Sequence, residues 1–361
     1  KLRTFSLVMP ESPDLNEARH ARAVAADLGT QHHEVEFRPA MLPGLMEACA
    51  WKLEEPVGST PYGLVSLLSG LASGHVKAVV GGEGSDELLA GYGWLAPQAT
   101  YRLNRVVPPW VCRLLEPLAP DARWRRALRQ SGAASPEDID LEFVRGKSRV
   151  DGVLPAGVGR WQRTGADASE TGERQIGAKD GPAGQDRLGK RLLLEFGGRL
   201  TGSLLFAADR ISMAEGLEIR LPFLDRKVVE YAMRLPSKWK LDGGQHKAIL
   251  KPLAARYAPA VAGRRKLGLQ VPHSSFADAG FRDFTQGVLL DGNSLFARRE
   301  LEQMIRREEN RRPQELYMSL QMLLRVQLWW NTFIGPGSRG ASLAGDASPP
   351  VDRVQWLQPV V

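Results

Sequence analysis

Apolar and polar positions alternate along Thr4 Phe5 Ser6 Leu7 Val8 Met9, a period of two that predicts a strand near the start of the chain. The turn-rich PESPDL follows, and from Asn16 to Leu28 alanines, leucine and charges recur at helical spacing until Gly29 closes the segment. HHEVEF, from His32 to Phe37, reads as a second strand, Pro61 to Ser73 as a helix, and Val76 to Val80 as a short buried strand running into Gly81 and Gly82. Strands separated by helices of this length predict an α/β fold with a parallel sheet and right-handed crossovers. In such sheets ligands bind at the C-terminal edges of the strands.

The pattern then changes. Tyr101 to about Leu141 is helical and irregular, and residues 163–189 hold so few core-forming side chains that an exposed, flexible loop is expected. Arg191 to Met213 and Arg226 to Met233 are predicted helices, punctuated by Pro222 and Pro236. A last helix, Pro313 to Phe333, carries leucine, methionine and tryptophan at helical spacing, with Trp329 and Trp330 expected in core packing. From Gly335 onward the chain is rich in glycine, serine and proline and reads as a loose tail, and no internal repeat is visible.

Composition narrows the picture. With 361 residues, 43% hydrophobic and 25% charged, the chain buries a substantial core and is not a disordered protein. The net charge of +7 is spread among 41 acids, without a compact basic stripe, which argues against specific nucleic-acid binding and for a site that takes a polyanionic small molecule. Cys49 and Cys112, far apart and outside metal-ligand spacing, suit a reducing, cytoplasmic setting. The richest apolar stretch, Gly63 to His75, is broken by serine and glycine, so no membrane span and no signal peptide are expected. The chain opens on Lys1 and goes at once into a strand, which predicts sequence upstream of it.

Candidate chemistry concentrates after the strand at Val76 to Val80. VVGGEGSDELLAGY sets Glu83, Asp86 and Glu87 in a glycine-rich turn that enters a helix. Glycines let backbone amides approach a phosphate or sugar, and a helix start favours anions. Three acids beside an anion would repel it unless a divalent metal lies between or one acid acts as a base. A capped helix with solvated acids explains the bare pattern equally well. His32 and His33 point to opposite faces of a strand and suit packing or surface roles. His246 and Lys247 are expected to open a helix, and the mixed charges at Arg298 to Arg312 to form a solvated helical face.

GGEGSDELLAGY resembles the SGEGSDE-plus-GGY signature of the synthetase domain of glutamine-dependent asparagine synthetases. DRISMAEGLEIRLPFLD, Asp209 to Asp225, is similar to that family's DRxSMAxxxExRxPFLD, and RRKLGLQVP, Arg264 to Pro272, to its KxGFxxP. TFS at Thr4 to Ser6, SPDL at Ser12 to Leu15, LGTQHHEV at Leu28 to Val35 and EEP at Glu54 to Pro56 fit as well, in family order from Leu2 to Ile334.

The resemblance implies an ATP-pyrophosphatase-type core over residues 1–100, a mostly helical synthetase region over 101–334 and a tail over 335–361. It implies ATP-dependent adenylation of the aspartate side chain, then attack by ammonia derived from glutamine to give asparagine and AMP. By motif position Glu83 is the base toward the attacking nitrogen and Lys266 its cationic counterpart. Asp86, with Glu87 beside it, would hold Mg2+. Leu7, Gly81 and Gly82 match the nucleotide pocket, Arg210 a phosphate clamp, and Arg220 and Asp225 substrate recognition, although a buried ion-pair network accounts for the last three equally well. The expected partners are small molecules, with no nucleic acid or membrane, and a homodimer of the full-length protein is admitted.

Departures are plain. The family's SGGxDS loop and its amino-terminal glutaminase do not appear, so the chain as written is expected to be inactive by itself. Gly81 stands where serine is usual, Leu89 and Ala90 where phenylalanine and glycine are, and Leu269 where phenylalanine is. These leave related amide ligases open, namely beta-lactam synthetases, lasso-peptide cyclases and amidotransferases of polysaccharide clusters. A non-catalytic binding or scaffold descendant is the alternative of another class. The retained Glu83 and Lys266 argue against it.

Overall fold

A computed structural model of the chain describes residues 1–56, 61–93, 108–118, 128, 187–264, 267–309 and 313–336. Lys266, residues 163–186 of the expected loop and the tail beyond 336 lie outside the described residues.

The alternating pattern at the start forms β1 (Arg3–Val8), which pairs in parallel with β2 (Gln31–Glu36) from Arg3↔Gln31 to Val8↔Glu36. The helix Ala18–Asp27 bridges the two, the β-helix-β unit that the spacing predicted. The helix Pro61–Ser73 then leads into β3 (Ala78–Val80). Its partner was not foreseen: β4 (Glu218–Arg220) arises inside the DRISMAEGLEIRLPFLD block and pairs in parallel, Ala78↔Glu218 to Val80↔Arg220. Among the described residues the strands form small two-stranded sheets, and the fold is helix-rich α/β.

One large core joins early and late sequence. Phe37, Leu42 and Leu64 pack with Phe276, Phe281, Tyr317, Leu320 and Leu324, all at most 2% exposed. Tyr317 keeps its hydroxyl paired, donating to Glu309 at 2.8 Å, and burial pushes that hydroxyl up to about 12. The last helix, Pro313–Phe333, spans the residues its periodicity predicted. Trp329 serves more than packing, because its indole N–H donates to the Glu54 carbonyl at 2.9 Å.

The helix expected over Arg191 to Met213 is three joined pieces: Arg187–Glu195, a wider π-helical stretch Phe196–Leu205, and Phe206–Ala214. The expected loop therefore gives way to helix at Arg187. Gly197, Gly198 and Gly202 make a wide turn easy, and the Tyr62 hydroxyl fixes it through the Ser203 hydroxyl at 2.7 Å. No helix of the described residues is long and apolar enough to cross a membrane.

Candidate active site

The β3–β4 ladder ends where the Gly81 N–H donates to the Arg220 carbonyl at 2.9 Å. Past that bond the chain must swing from strand to helix within a few residues. Gly84 makes the swing at φ +88°, and a Cβ there would overlap the Leu224 side chain, so the position requires glycine. The helix it enters, Ser85–Leu88, is a single turn, too short for an appreciable dipole. The anion-favouring helix start suggested by the sequence therefore contributes little.

The positive charge comes instead from Lys247. Its ammonium lies 2.9 Å from Asp86 Oδ1 and donates to Ser85 Oγ at 2.8 Å. His246 and Lys247 do not open a helix, which is the correction the structure makes here. LDGGQH forms an antiparallel hairpin of β5 (Leu241–Asp242) and β6 (Gln245–His246), turning on Gly243 at φ +54° and Gly244 at φ +90°. A two-residue turn with both φ positive is the tight hairpin geometry that glycine favours. The next helix starts at Leu250. The hairpin is sewn to the glycine-rich turn: His246 Nδ1–H donates to the Ala90 carbonyl at 2.6 Å, and the Lys247 N–H to the Leu89 carbonyl at 3.2 Å. Ala90 and Lys247 both sit in the left-handed region, at φ 56° and 53°, costing roughly 1–2 kcal/mol each. Gly91 has no room for a side chain, since a Cβ would overlap Asp86 Oδ1.

Two acids four residues apart have opposite surroundings. Glu87 is 1% exposed and committed to the interior, where the Tyr92 hydroxyl donates to it and the Arg199 guanidinium stands 3.7 Å away. Arg199 also stacks 4.1 Å above the Tyr92 ring and donates to Glu195 at 2.8 Å. Burial and then the bond to Glu87 push the Tyr92 hydroxyl far above its ordinary range. Glu83 is the contrast: its Oε2 is buried and meets no hydrogen-bond donor among the described residues.

The other sequence-predicted residues are held by separate contacts. Gly82 is exposed, with open space where a side chain would go. The Arg220 backbone closes the ladder, while its guanidinium folds onto Glu218 of the same strand at 3.0 Å. Asp225 caps the helix Arg226–Arg234 by accepting from the Lys227 N–H at 2.9 Å. Arg210 pairs with Glu54, and Leu7 packs against the large core from β1. His32 and His33 behave as packing residues: His32 bonds Thr4 and Ser6 at 2.9 and 3.0 Å, and His33 stacks on Phe5 and His75.

Sequence reasoning read Lys247 and His246 as a helix start and passed over Arg199. The first two carried a usable signal, the Asp-Gly-Gly turn, which marks a hairpin. Arg199 carried none for its role at the turn, because Glu87 and Tyr92 are distant from it in sequence and the nearby Glu195 marks only an ordinary helix-face pair. No group of three or more His, Cys, Asp or Glu side chains among the described residues stands ready to hold a metal. Magnesium needs less than that, since it keeps several waters and takes one or two carboxylates plus phosphate oxygens. Asp86 supplies one such carboxylate, its side chain 15% exposed beside Lys247.

The asparagine synthase family model matches residues 1–331. A putative glutamine-hydrolyzing asparagine synthetase of Mycobacterium tuberculosis (strain ATCC 25618 / H37Rv) is 31% identical over 271 residues, covering 73% of this chain and 38% of the relative. Glutamine-hydrolyzing asparagine synthetase 1 of Bacillus subtilis (strain 168) is 24% identical over 309 residues, 81% of this chain and 46% of that protein. The chain thus spans less than half the length of these curated relatives.

Proposed function

The chain belongs to the asparagine synthase family, and from that premise we propose that it forms the amide-ligating part of an enzyme that activates aspartate with ATP and passes the acyl group to ammonia. Its α/β part is read as an ATP-pyrophosphatase core, with the reaction at the C-terminal end of β3. The observation that carries the reading is the buried Oε2 of Glu83, which meets no hydrogen-bond donor among the described residues, in a turn to which a lysine is bonded.

The side-chain carboxylate of aspartate attacks the α-phosphorus of ATP, an oxygen–phosphorus bond forms and pyrophosphate leaves. Ammonia then attacks the acyl carbon, a carbon–nitrogen bond forms, the bond to AMP breaks, and the surplus proton passes to Glu83. A carboxylate oxygen without a competing donor is free to take that proton. Lys247 meets the negative charge of the phosphates, and Lys266 is proposed as the second cation. Asp86 would hold Mg2+, which supplies charge neutralisation at the pyrophosphate. Glu87, locked to Tyr92 and Arg199, braces the turn from behind. Ammonia comes from glutamine, the source that the relatives' names give.

The test uses the complete gene product and follows pyrophosphate and AMP formation with aspartate and with either ammonia or glutamine. Release that depends on aspartate and nitrogen source is expected. Glu83→Gln should keep ATP binding and lose amide formation by about 10²–10⁴-fold. Normal turnover in that variant would remove the base assignment, and turnover only with another carboxylate would redirect the substrate.

A further inference from the structure

We infer that His246 is a positioning residue for Lys247: its ring N–H clamps the Ala90 carbonyl and so keeps the lysine's ammonium against Asp86. The inference rests on the reading of Lys247 above as the cation that meets the phosphates, and adds a residue that acts only through its neighbours.

Ala90 is fully buried and left-handed, at φ 56°, at a position where the family signature carries glycine. A side chain strains that conformation, so the turn must be held from outside. The hairpin holds it on both sides. The Lys247 N–H bonds the Leu89 carbonyl, in the peptide plane before Ala90, and His246 Nδ1–H bonds the Ala90 carbonyl, in the plane after it. Peptide units are rigid, so fixing these two planes fixes φ and ψ of the residue between them. The second plane also carries the Gly91 N–H, which donates to the Asp86 carbonyl at 2.9 Å. The clamp on that plane thus steadies the backbone of the same acid whose side chain the Lys247 ammonium meets.

The hairpin has little rigidity of its own to offer, since each strand is two residues long. Its other bonds, from the Ala248 N–H to the Lys240 carbonyl and from the Ile249 N–H to the Trp239 carbonyl, tie it to the segment before it and not to the turn. Lys247 is itself left-handed, at φ 53°, and relaxes unless held. Without the ring, the Ala90 carbonyl loses that donor, the 90–91 peptide turns out of its strained orientation, and the ammonium drifts from Asp86. A displacement of about 1 Å costs on the order of 10²-fold in rate.

The experiment compares His246→Ala, His246→Asn, Lys247→Met, the His246→Ala/Lys247→Met pair and the Ala90→Gly/His246→Ala pair in the complete gene product, reading aspartate-dependent ATP–pyrophosphate exchange and amide formation. We expect His246→Ala to slow both on the order of 10²-fold, because the phosphates are engaged before the amide step. His246→Asn, whose side-chain N–H takes the place of Nδ1–H, should stay within about threefold of the parent. The alanine at 246 should add nothing on top of Lys247→Met. Ala90→Gly/His246→Ala should recover about tenfold over His246→Ala, since glycine keeps the left-handed turn unaided; it also carries the test should His246→Ala fold poorly. Parent-rate exchange in His246→Ala overturns the inference, as does an asparagine variant as slow as the alanine one, an additive loss in the lysine pair, or no recovery with glycine at 90. A fully active Lys247→Met defeats the reading of the cation itself, whereas an inactive Lys247→Met with a fully active His246→Ala defeats only the clamp.

Discussion

The glycine-rich turn at Gly81–Gly93 and the helical core under the last helix handle buried polar groups differently. In the core, Tyr317 donates to Glu309, the Thr285 hydroxyl donates to the Phe281 carbonyl at 2.8 Å, and Gln327 accepts the Leu295 N–H at 2.8 Å. The buried atoms there without a partner among the described residues, Ser275 Oγ, Arg282 Nε and Arg325 Nε, are a neutral hydroxyl and single nitrogens of two guanidinium groups. In the turn Glu83 Oε2, without a donor among the described residues, is a carboxylate oxygen, the costlier group to strip of water. The turn and the hairpin sewn to it also hold two non-glycine residues at positive φ, Ala90 and Lys247. One region minimises its free energy locally; the other keeps an unsatisfied group and a strained backbone in place by surrounding them with bonds. That combination marks a site in which geometry was kept at the expense of stability.

Three measurements sharpen this contrast beyond the site variants already described. Leu324→Ala, at a side chain with no exposed surface, should cost about 2–5 kcal/mol in denaturant unfolding while amide formation per folded molecule stays at the parent value. A large loss of activity in the folded fraction would mean that core and turn are not separable. Tyr92→Phe keeps the ring under Arg199 and removes only the hydroxyl donated to Glu87, and should cost about 1–3 kcal/mol. A change near zero would show that Arg199 alone satisfies the buried acid.

The smallest effect concerns His33. Burial first, then the neighbouring His75 and Arg3, hold its imidazole below the ordinary histidine range. The folded chain therefore disfavours the proton that the unfolded chain accepts near pH 6.5. Stability tied to neutral His33 is present above that pH and declines as pH falls through it. Melting curves between about pH 5 and 8 should show a slope that His33→Phe reduces. An identical slope in both proteins would assign it elsewhere.

Local pattern made much of this legible. β1, β2 and the helices at Pro61–Ser73 and Pro313–Phe333 announce themselves by periodicity, and the turn's acids by their spacing after a strand, although that strand is not the buried one its apolar run suggests, since Val80 is 73% exposed. What stayed hidden depends on distance along the chain. Nothing near residue 218 shows that Glu218–Arg220 will lie beside Ala78–Val80, because three residues are too few for a periodic signal. Lys247 looks like any solvated lysine until the hairpin carries it to Asp86. Glu87 and Asp86 look alike in sequence, yet one is buried against Arg199 and the other pairs with Lys247.

The bond from Lys247 to Ser85 spans 162 positions. A contact that remote closes only after most of the polypeptide has been made and the pieces between have found their places. During synthesis the acids of the turn emerge long before the ammonium that neutralises one of them. Competence for chemistry is therefore among the last properties this molecule acquires, and a chain cut short before the hairpin would carry the acids with no lysine beside them.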